Sequence, residues 1–493
     1  MMRTMKIYVL ILGLALGMWS CDDFLTVRPK SDILESDLFA TSVGVEDALY
    51  GIYAKLGQSA LYGEDMTWGV VDLMAQYFLL NTNHGSDRYA VAQFSHENTD
   101  ARARYGAMWI QMYQTIGYTN NLINALSAKD ENSMRYYSIY LGEALGVRAF
   151  LHFDLVRLFA PHVAREPEAR GIPYMRQWTP LVTSFSTVAE VYASVIKDLK
   201  ESERFLTKGM EKMDGGNDFT NTPLIHFNLY ACQATLARVY WMKEDLDSAA
   251  IYARKVIESE KFQLAQPTEI KELTAQIIAE KEGIWGIYNN QLTETYQKVF
   301  YGIFKTGLDG TLYPNALYTL FDDLYPSGVD VGNEMRVGWI RKKTGDAEAK
   351  DYFMKLLLES NMTANQPDYG GGIAGINMIR LPEMYLIMAE ALLEKDPDLA
   401  RDYFDTFIAS RGLNKFKDRG KALTQDDINR ERKKEFFGEG QEFYNMKRQM
   451  RDVYLTATSP YTLLTGTEEL YTLLIPDSEF EYRYDDEEES DIN

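Results

Sequence analysis

The sequence predicts a mainly α-helical fold: a helical bundle with four tetratricopeptide-like helix pairs, large loop insertions and minor β-structure. Two observations predict it. Apolar residues recur at intervals of three and four along much of the chain, as they do on one face of a helix. Two segments also follow the pattern of small and aromatic residues that marks tetratricopeptide units. Because the candidate pairs are far apart in sequence, we expect an interrupted helical scaffold and not a continuous stacked array.

The first two helix pairs are the less regular ones. One pairs Ala48–Leu56 with Trp109–Leu126. The other pairs Leu145–Phe159 with Val188–Leu199, across the proline-containing stretch 161–180. The partners in each pair are separated by long segments, which we expect to be insertions.

The third pair has a clearer pattern. Thr222 followed by Pro223 has the form of a helix start, an N-cap residue with proline at the first helical position. Apolar residues then recur at helical spacing over Phe227–Trp241, and Ala249 and Ala253 supply the small residues of a second helix. The sequence therefore predicts two packed helices in this region.

The fourth pair lies near the C-terminus. Leu381–Leu392 carries an apolar stripe with Pro382 in its first turn. Ala400 and Phe404 supply the small and aromatic positions of a second helix. This repeat is one residue shorter than the third pair and is therefore degenerate.

Two insertions are expected to carry the function, because binding residues are usually found on loops held by a rigid scaffold. The first spans about residues 62–106 and mixes aromatic, amide and charged residues. The second spans about residues 283–340 and is rich in tyrosine and tryptophan. Gly283–Tyr288 is rich in β-branched and aromatic residues, which predicts a short strand. The acidic end, residues 485–493, is expected to be disordered.

Composition excludes some partners and covalent links. The 493-residue chain has a net charge of −21, which disfavours nucleic acid because an acidic surface repels phosphate. It has two cysteines, Cys21 and Cys232. Cys232 lies within an apolar helical pattern and is expected to be a small buried hydrophobe. The core, and not a disulfide, must therefore stabilise the fold.

The N-terminus has the features of a secretory signal over residues 1–20. Arg3 and Lys6 precede the apolar run Ile7–Trp19, which is too short to span a bilayer, and Cys21 follows. This arrangement resembles the lipobox of bacterial lipoproteins, although Met18 and Trp19 depart from its usual residues. We therefore expect Cys21 to be lipidated and to anchor the mature chain to a membrane.

Motifs for catalysis and cofactor binding are missing from the sequence. It has no Gly-x-Ser-x-Gly, His-Glu-x-x-His or Cys-x-x-Cys, and its five histidines are not spaced to bind a metal. Residues 370–375 fit Gly-x-Gly-x-x-Gly, but no strand is predicted before them, so we interpret them as a flexible connector before the helix at Leu381. We expect no enzyme activity, cofactor or metal. An all-helical glycoside hydrolase with paired carboxylates is the enzymatic alternative.

Five groups of residues resemble the SusD/RagB family, the surface nutrient-binding lipoproteins of Bacteroidetes. Together they cover nearly the whole mature chain. They are Cys21–Leu25 with Pro29 and Gly51–Tyr53; Trp109–Tyr113 with Asn120 and Asn121; Glu143–Phe159; Arg380–Ala391; and Glu431–Arg448 with Ile475 and Pro476. The segment Gln441–Met446 and the segment Phe480–Tyr482 depart from the family pattern.

The resemblance implies a single SusD-like domain over residues 21–493, located on the outer face of the outer membrane. It implies a protein that binds glycan and delivers it to a SusC-like TonB-dependent transporter. The alternatives are a peptide-binding RagB-like lipoprotein and a tetratricopeptide-type adaptor that binds a protein.

Glycan rings would stack on aromatic faces while amides and arginine bond to the hydroxyls. Nine residues of the two insertions are predicted to contact the ligand in this way. They are Trp68, Tyr77, Asn81, Asn83, Arg88, Tyr89, Tyr313, Tyr318 and Tyr325.

Overall fold

A computed structural model describes most of the chain after the N-terminal segment. The described residues are 35–80, 87–179, 181–212, 221–272, 277–301, 312–315, 334–341, 352–356, 359–361, 364, 366–455, 462–481 and 483. The predicted signal segment 1–20, the lipidation site Cys21 and the acidic end 485–493 lie outside them.

The mainly α-helical architecture is confirmed, and each of the four predicted helix pairs is present. The paired helices pack against each other along their length. The pairs are α2 (Ser42–Leu56) with α5 (Thr99–Ser127), α6 (Tyr137–Phe159) with α7 (Val188–Met210), α8 (Leu229–Met242) with α9 (Leu246–Glu258), and α11 (Leu381–Leu392) with α12 (Pro397–Ser410).

The other helices and the strands connect or cover these pairs. The helices are α1 (Glu35–Leu38), α3 (Val70–Met74), α4 (Asp87–Ala92), α10 (Leu292–Tyr301), α13 (Gln425–Glu435) and α14 (Glu442–Gln449). The strands are β1 (Phe78–Leu80), β2 (Arg170–Pro173), β3 (Phe185–Thr187), β4 (Gly283–Tyr288), β5 (Leu312–Pro314), β6 (Ile340–Arg341), β7 (Tyr352–Phe353), β8 (Gly375–Arg380), β9 (Val453–Leu455) and β10 (Thr462–Leu464). Within the described residues they form antiparallel two-stranded sheets: β1–β5, β2–β3, β4–β8, β6–β7 and β9–β10.

The predicted start of the third pair is wrong by several residues. Pro223 begins only a short 3₁₀ turn, Pro223–Ile225. The α-helix begins at Leu229, where the Asn228 side chain accepts hydrogen bonds from the backbone N–H groups of Tyr230 (2.9 Å) and Ala231 (3.0 Å). Asn228 thus satisfies two of the donors that a helix leaves unpaired at its N-terminus, which Thr222 does not do.

The predicted strand over Gly283–Tyr288 is confirmed as β4, and its partner corrects a second prediction. Residues 370–375 were interpreted as a flexible connector, but Ala374 forms a β-bridge with Ile277, and Gly375 begins β8 (Gly375–Arg380), which pairs with β4. Only the start of the glycine-rich segment is a turn, with positive φ angles at Gly370 and Gly371. Glycine is the residue that adopts this conformation without strain.

Cys232 is confirmed as a buried residue of α8. It is fully covered, and its thiol donates a hydrogen bond to the carbonyl of Leu199 on α7 (3.1 Å). Burial raises the pKa of the Cys232 thiol to about 12, so the thiol remains protonated. A protonated, buried thiol acts as a packing group between the second and third helix pairs.

Several residues that carry the family resemblance bond to one another inside the scaffold. The hydroxyl of Tyr53 on α2 donates to Glu143 on α6 (2.6 Å). The guanidinium of Arg148 on α6 donates to the Asn120 side chain on α5 (2.9 Å). These motif residues therefore connect neighbouring helix pairs, which is a structural role.

The C-terminal motif residues belong to a larger buried cluster of charged side chains. We call this cluster the Glu435 network, because the Glu435 carboxylate accepts hydrogen bonds from Arg336 (3.1 Å), Arg380 (2.7 Å) and Arg411 (2.8 Å and 2.9 Å). Its five basic and five acidic side chains are all buried. They are Arg336, Lys355, Arg380, Arg411 and Lys434, with Glu282, Glu334, Glu431, Glu435 and Glu439.

The Glu435 network remains charged because its members compensate one another. Burial alone would raise the pKa of Glu435, but the guanidiniums of Arg411 and Arg380 outweigh it and hold the pKa well below the usual range. In the same way, burial opposes the ionisation of Glu431, but Lys434 and Arg336 lower its pKa to about 2. The network joins Glu282 before β4, Arg380 at the end of β8, helix α13 and residues 334–336 of the second insertion.

Candidate functional site

The two insertions meet at a short antiparallel ladder. Strand β1 of the first insertion pairs with β5 of the second, so that Leu79 lies opposite Tyr313. Beyond the ladder, the backbone N–H of Asn315 donates to the Tyr77 carbonyl (3.0 Å), and the Asn315 side chain donates to the Gln76 carbonyl (3.0 Å). Residues predicted from two distant parts of the sequence are therefore held close together.

Trp68 lies in the interior beneath this junction. Its ring makes edge contacts with Tyr296 and Phe300 of α10, at centroid distances of 6.0 Å and 5.2 Å. The Arg88 guanidinium lies 5.9 Å from the centre of the same ring, at the outer limit for a cation–π contact. Trp68 is buried and joins α10 to the first insertion, so its ring presents no open face in this structure, and its assignment as a ligand contact stays a prediction.

Tyr77 and Tyr313 are also buried. The Tyr77 ring is stacked on Phe437 at a centroid distance of 4.6 Å, and its hydroxyl donates to the backbone carbonyl of Lys433. Burial raises the pKa of the Tyr77 hydroxyl well above its usual value. These two rings are covered by protein in this structure, and their assignment as ligand contacts stays a prediction.

Arg88 and Tyr89 occupy the first turn of α4, near the surface. An Arg88 guanidinium nitrogen lies 2.5 Å from a Glu64 carboxylate oxygen. The Tyr89 ring is half-buried and packs against the core. Asp87 accepts a hydrogen bond from the Arg88 backbone N–H (2.8 Å), which fixes the start of the helix. Of the five predicted ligand residues in the described part, these two lie where a ligand can reach.

A charged group that the sequence did not predict surrounds Arg88. Arg104, near the start of α5, bonds to Asp87 (2.6 Å), to Asp65 and, more weakly, to Glu64 (3.4 Å). We call Glu64, Asp65, Asp87, Arg88 and Arg104 the Arg88 cluster. Arg104 lies within the predicted first insertion, but no signal in the sequence pairs it with Asp87 or Asp65, because these contacts depend on how α5 packs against the preceding loop.

The acids of the Arg88 cluster differ in protonation. Burial, assisted by the neighbouring Glu64, raises the pKa of Asp65 to about 7, although Arg104 opposes the shift. For Asp87, burial also favours the protonated form, but Arg104 outweighs it and lowers the pKa. The Asp87 side chain is 43% exposed. It is therefore an ionised carboxylate, fixed by Arg104 and open to hydrogen-bond donors such as sugar hydroxyls.

The remaining predicted residues cannot be placed. Asn81 and Asn83 follow β1 directly, and Tyr318 and Tyr325 follow β5, but all four lie outside the described residues. Their assignment as ligand contacts stays a prediction.

A separate cavity of about 390 Å³ lies between the second and third helix pairs. Its walls are mainly apolar, with Leu206, Met210 and Phe262 among them, and Glu143 and His226 also line it. The Glu143 carboxylate is already engaged by Tyr53 and by His226 (3.1 Å). None of the five predicted ligand residues that the structure describes borders this cavity.

Two further properties were tested on the described part of the chain. It contains no group of three or more side chains of histidine, cysteine, aspartate or glutamate placed to hold a metal ion. Among these residues, no helix is both long enough and apolar enough to cross a membrane.

Two family models match the chain. Residues 23–241 match a SusD-like family described as starch-binding and associating with the outer membrane, and residues 282–483 match the SusD family. No curated protein matches.

Solved structures with the same fold come from Bacteroides. A SusD superfamily protein from Bacteroides thetaiotaomicron is 21% identical, with a TM-score of 0.70 over 89% of this chain and 97% of that one. A putative sugar binding protein from Bacteroides vulgatus is 21% identical, with a TM-score of 0.69 over 89% and 96%. Surface glycan-binding protein A from Bacteroides fluxus is 20% identical, with a TM-score of 0.60 over 83% and 89%.

Proposed function

Since the chain belongs to the SusD family, we propose that it is an outer-membrane surface lipoprotein that binds glycan and passes it to a SusC-like TonB-dependent transporter. In this proposal Cys21 carries the lipid. The observation that supports the binding role most directly is the pairing of β1 with β5, which unites the two insertions beside the Arg88 cluster.

The ligand chemistry follows from the groups at this junction. A glycan offers rows of hydroxyls and apolar ring faces. The Asp87 carboxylate can accept hydrogen bonds from hydroxyls, and the Tyr89 ring can contribute an apolar face. Arg104 and Arg88 hold this surface rigid before the ligand arrives, which reduces the entropy lost on binding. Asn81, Asn83, Tyr318 and Tyr325 are proposed to complete the site, and Trp68, Tyr77 and Tyr313 to support it from below.

Binding to a panel of glycans tests this proposal. The purified protein should bind at least one glycan, and Asp87→Asn and Tyr89→Ala should each weaken that binding about tenfold or more, which corresponds to about 1.4 kcal/mol. Tyr454→Ala is the matched control, because Tyr454 is an exposed tyrosine on β9, outside the junction. Its affinity should equal that of the wild type.

The same binding assay distinguishes the alternative functions. Binding to peptides and to none of the glycans would indicate a peptide receptor. Release of reducing sugar from a bound glycan would indicate a hydrolase. If Asp87→Asn and Tyr89→Ala bind a confirmed glycan as tightly as the wild type, the site lies elsewhere.

A further inference from the structure

Helix α5 exposes a face without charged residues. Its outward positions follow one another at intervals of three and four, which places them on one side of the helix. Exposed residues of the loop between β2 and β3 lie beside them. Together they form the α5 stripe: Ala103, Ala107, Ile110, Gln114 and Tyr118 from the helix, with Trp178, Leu181 and Val182 from the loop.

Large apolar side chains dominate the stripe. Ile110 is 44% exposed, Trp178 is 55% exposed and Leu181 is 76% exposed. The outward face of α7 is different, because it carries charged residues along its length: Lys197, Lys200, Glu201, Arg204 and Lys208. In a chain with a net charge of −21, an apolar surface of this kind is typical of an interaction site and not of a face that only meets water.

Trp178 is held in position by the helix beneath it. Its six-membered ring lies so close to Gly117 that a Cβ atom there would be 2.6 Å from Cζ3 of the ring. The Tyr118 ring lies beside it, with the two planes 23° apart. A tryptophan fixed on one side and open on the other loses little side-chain entropy when a partner covers it.

A hollow lies between α5 and the loop that carries Leu181 and Val182. It has a volume of about 260 Å³, and Leu181 and Val182 line it together with Tyr113 of α5. Glu479 and Arg483 border the same hollow and are paired with each other (Arg483 Nε to Glu479 Oε1, 3.2 Å). A hollow lined by exposed apolar side chains can receive a side chain of a protein partner.

Three observations indicate which kind of molecule binds the α5 stripe. The aliphatic groups at Ile110, Leu181 and Val182 offer little to a glycan but suit a protein surface. The stripe begins beside the proposed ligand site, because Ile110 follows Arg104 by six residues, or about 9 Å along the helix. The N-terminal part of the chain enters the fold through α1 and α2, and α2 packs against α5, with Lys55 Nζ 6.0 Å from the Tyr118 ring centre. The first described helices of the chain and the proposed ligand site therefore both adjoin α5.

We infer that the α5 stripe docks the protein onto an uncharged, apolar patch on the extracellular face of its outer-membrane transporter. This inference rests on the proposed function, since it supplies the surface through which that partnership is made. Docking along α5 places the transporter next to the Arg88 cluster, where a released glycan enters it directly.

The test uses the full lipid-bearing chain co-expressed with a SusC-like transporter from the same organism, and the purification tag is on the transporter. Ile110→Glu and Val182→Glu should each reduce the co-purified chain at least tenfold, because docking would bury an unpaired charge. Ile110→Lys should reduce the co-purified chain to the same extent. Equal losses for lysine and glutamate would show that the loss of apolar contact matters, and not the sign of the new charge. Ile251→Glu is the matched control: Ile251 is 58% exposed on α9, outside the stripe, and its variant should co-purify normally.

Each outcome has a distinct meaning. Normal co-purification of the Ile110 and Val182 variants would overturn the inference, and so would an equal loss for Ile251→Glu. If those variants lose glycan affinity and still co-purify, the stripe is a glycan surface and the inference is wrong. If the wild type fails to co-purify with the transporter, both the inference and the proposed partnership fail. All variants should retain the melting temperature of the wild type and its glycan affinity, because the altered side chains are exposed.

Discussion

Two regions of this protein distribute charge in opposite ways. The Glu435 network places ten ionisable side chains in the interior, whereas the α5 stripe exposes isoleucine, leucine, valine and tryptophan to solvent. In the interior each charge has partners from the same chain: Arg411, for example, bonds to both Glu282 and Glu435. The large apolar side chains of the α5 stripe, in contrast, remain exposed to solvent.

The difference shows what each region depends on. Buried charges are costly, and they are stable only when their partners are complete, so the Glu435 network depends on the fold alone. An exposed apolar surface costs less free energy than an unpaired buried charge, but only another molecule can cover it. Substitutions in the network should therefore affect folding, and substitutions in the stripe should affect association.

The largest effect is expected at the centre of the Glu435 network. Glu435→Gln keeps the size of the side chain and removes its charge, which leaves Arg336, Arg380 and Arg411 with one anion too few. Removing one partner from a buried ion pair typically costs about 3–5 kcal/mol. We expect a loss of this size in the free energy of unfolding, measured by urea denaturation.

Asp247→Asn is the control for this prediction. Asp247 pairs with Lys395 at the surface, where both side chains are more than half exposed. Water screens such a pair, so we expect no measurable change in stability. Equal effects of the two substitutions would contradict the contrast between interior and surface.

A somewhat smaller, pH-dependent effect is expected at Lys447. Its ammonium group is buried and donates to the carbonyls of Arg157 (2.8 Å) and Ala160 (2.6 Å) at the end of α6. Burial lowers the pKa of Lys447 from 10.5 to about 7; nearby Glu468 opposes this shift, and Arg165 adds to it. Unlike the basic residues of the Glu435 network, Lys447 bonds to backbone carbonyls and, within the described part of the chain, to no carboxylate.

The direction of the pH dependence follows from which state, folded or unfolded, binds the proton on Lys447. Between pH 7 and 10.5 the unfolded chain holds a proton on Lys447 that the folded chain has released, so the free energy of unfolding rises with pH in this window and levels off below pH 7, where both states are protonated. The slope from one group is at most about 1.4 kcal/mol per pH unit. Lys447→Met should remove this contribution in denaturation measured at pH 7, 8 and 9. A variant whose pH profile parallels that of the wild type would show that Lys447 stays charged when folded.

Much of the helical fold could be predicted from sequence, because each helix pair shows its apolar periodicity locally. The errors arose where local signals compete. Thr222 and Pro223 fit a helix start, but Asn228 bonds two backbone N–H groups and fixes the start at Leu229. Strand β8 was missed because its pattern is set by β4, a partner about ninety residues away.

The candidate site was less predictable. Composition drew attention to the segment that holds Arg88, and its role in binding stays a prediction; composition does not separate a buried aromatic ring from an exposed one. Trp68 and Tyr77 are covered by Tyr296, Phe300 and Phe437, which belong to other segments. Arg104 was missed for the same reason, since only tertiary packing brings it to Asp87.

The smallest change in stability is expected for Gly117→Ala. This substitution should weaken association without destabilising the fold. In Gly117→Ala the new Cβ would meet the Trp178 ring at 2.6 Å, so the ring must move outward. The substitution also stabilises helix α5, because alanine is up to about 1 kcal/mol more favourable than glycine within a helix. We therefore expect a melting temperature equal to or slightly above that of the wild type, together with weaker co-purification with the transporter. Gly51→Ala is the control, since Gly51 lies on α2 with open space around its Cβ position and should affect neither association nor Trp178. If Gly117→Ala associates as well as Gly51→Ala, a fixed Trp178 is not required for docking.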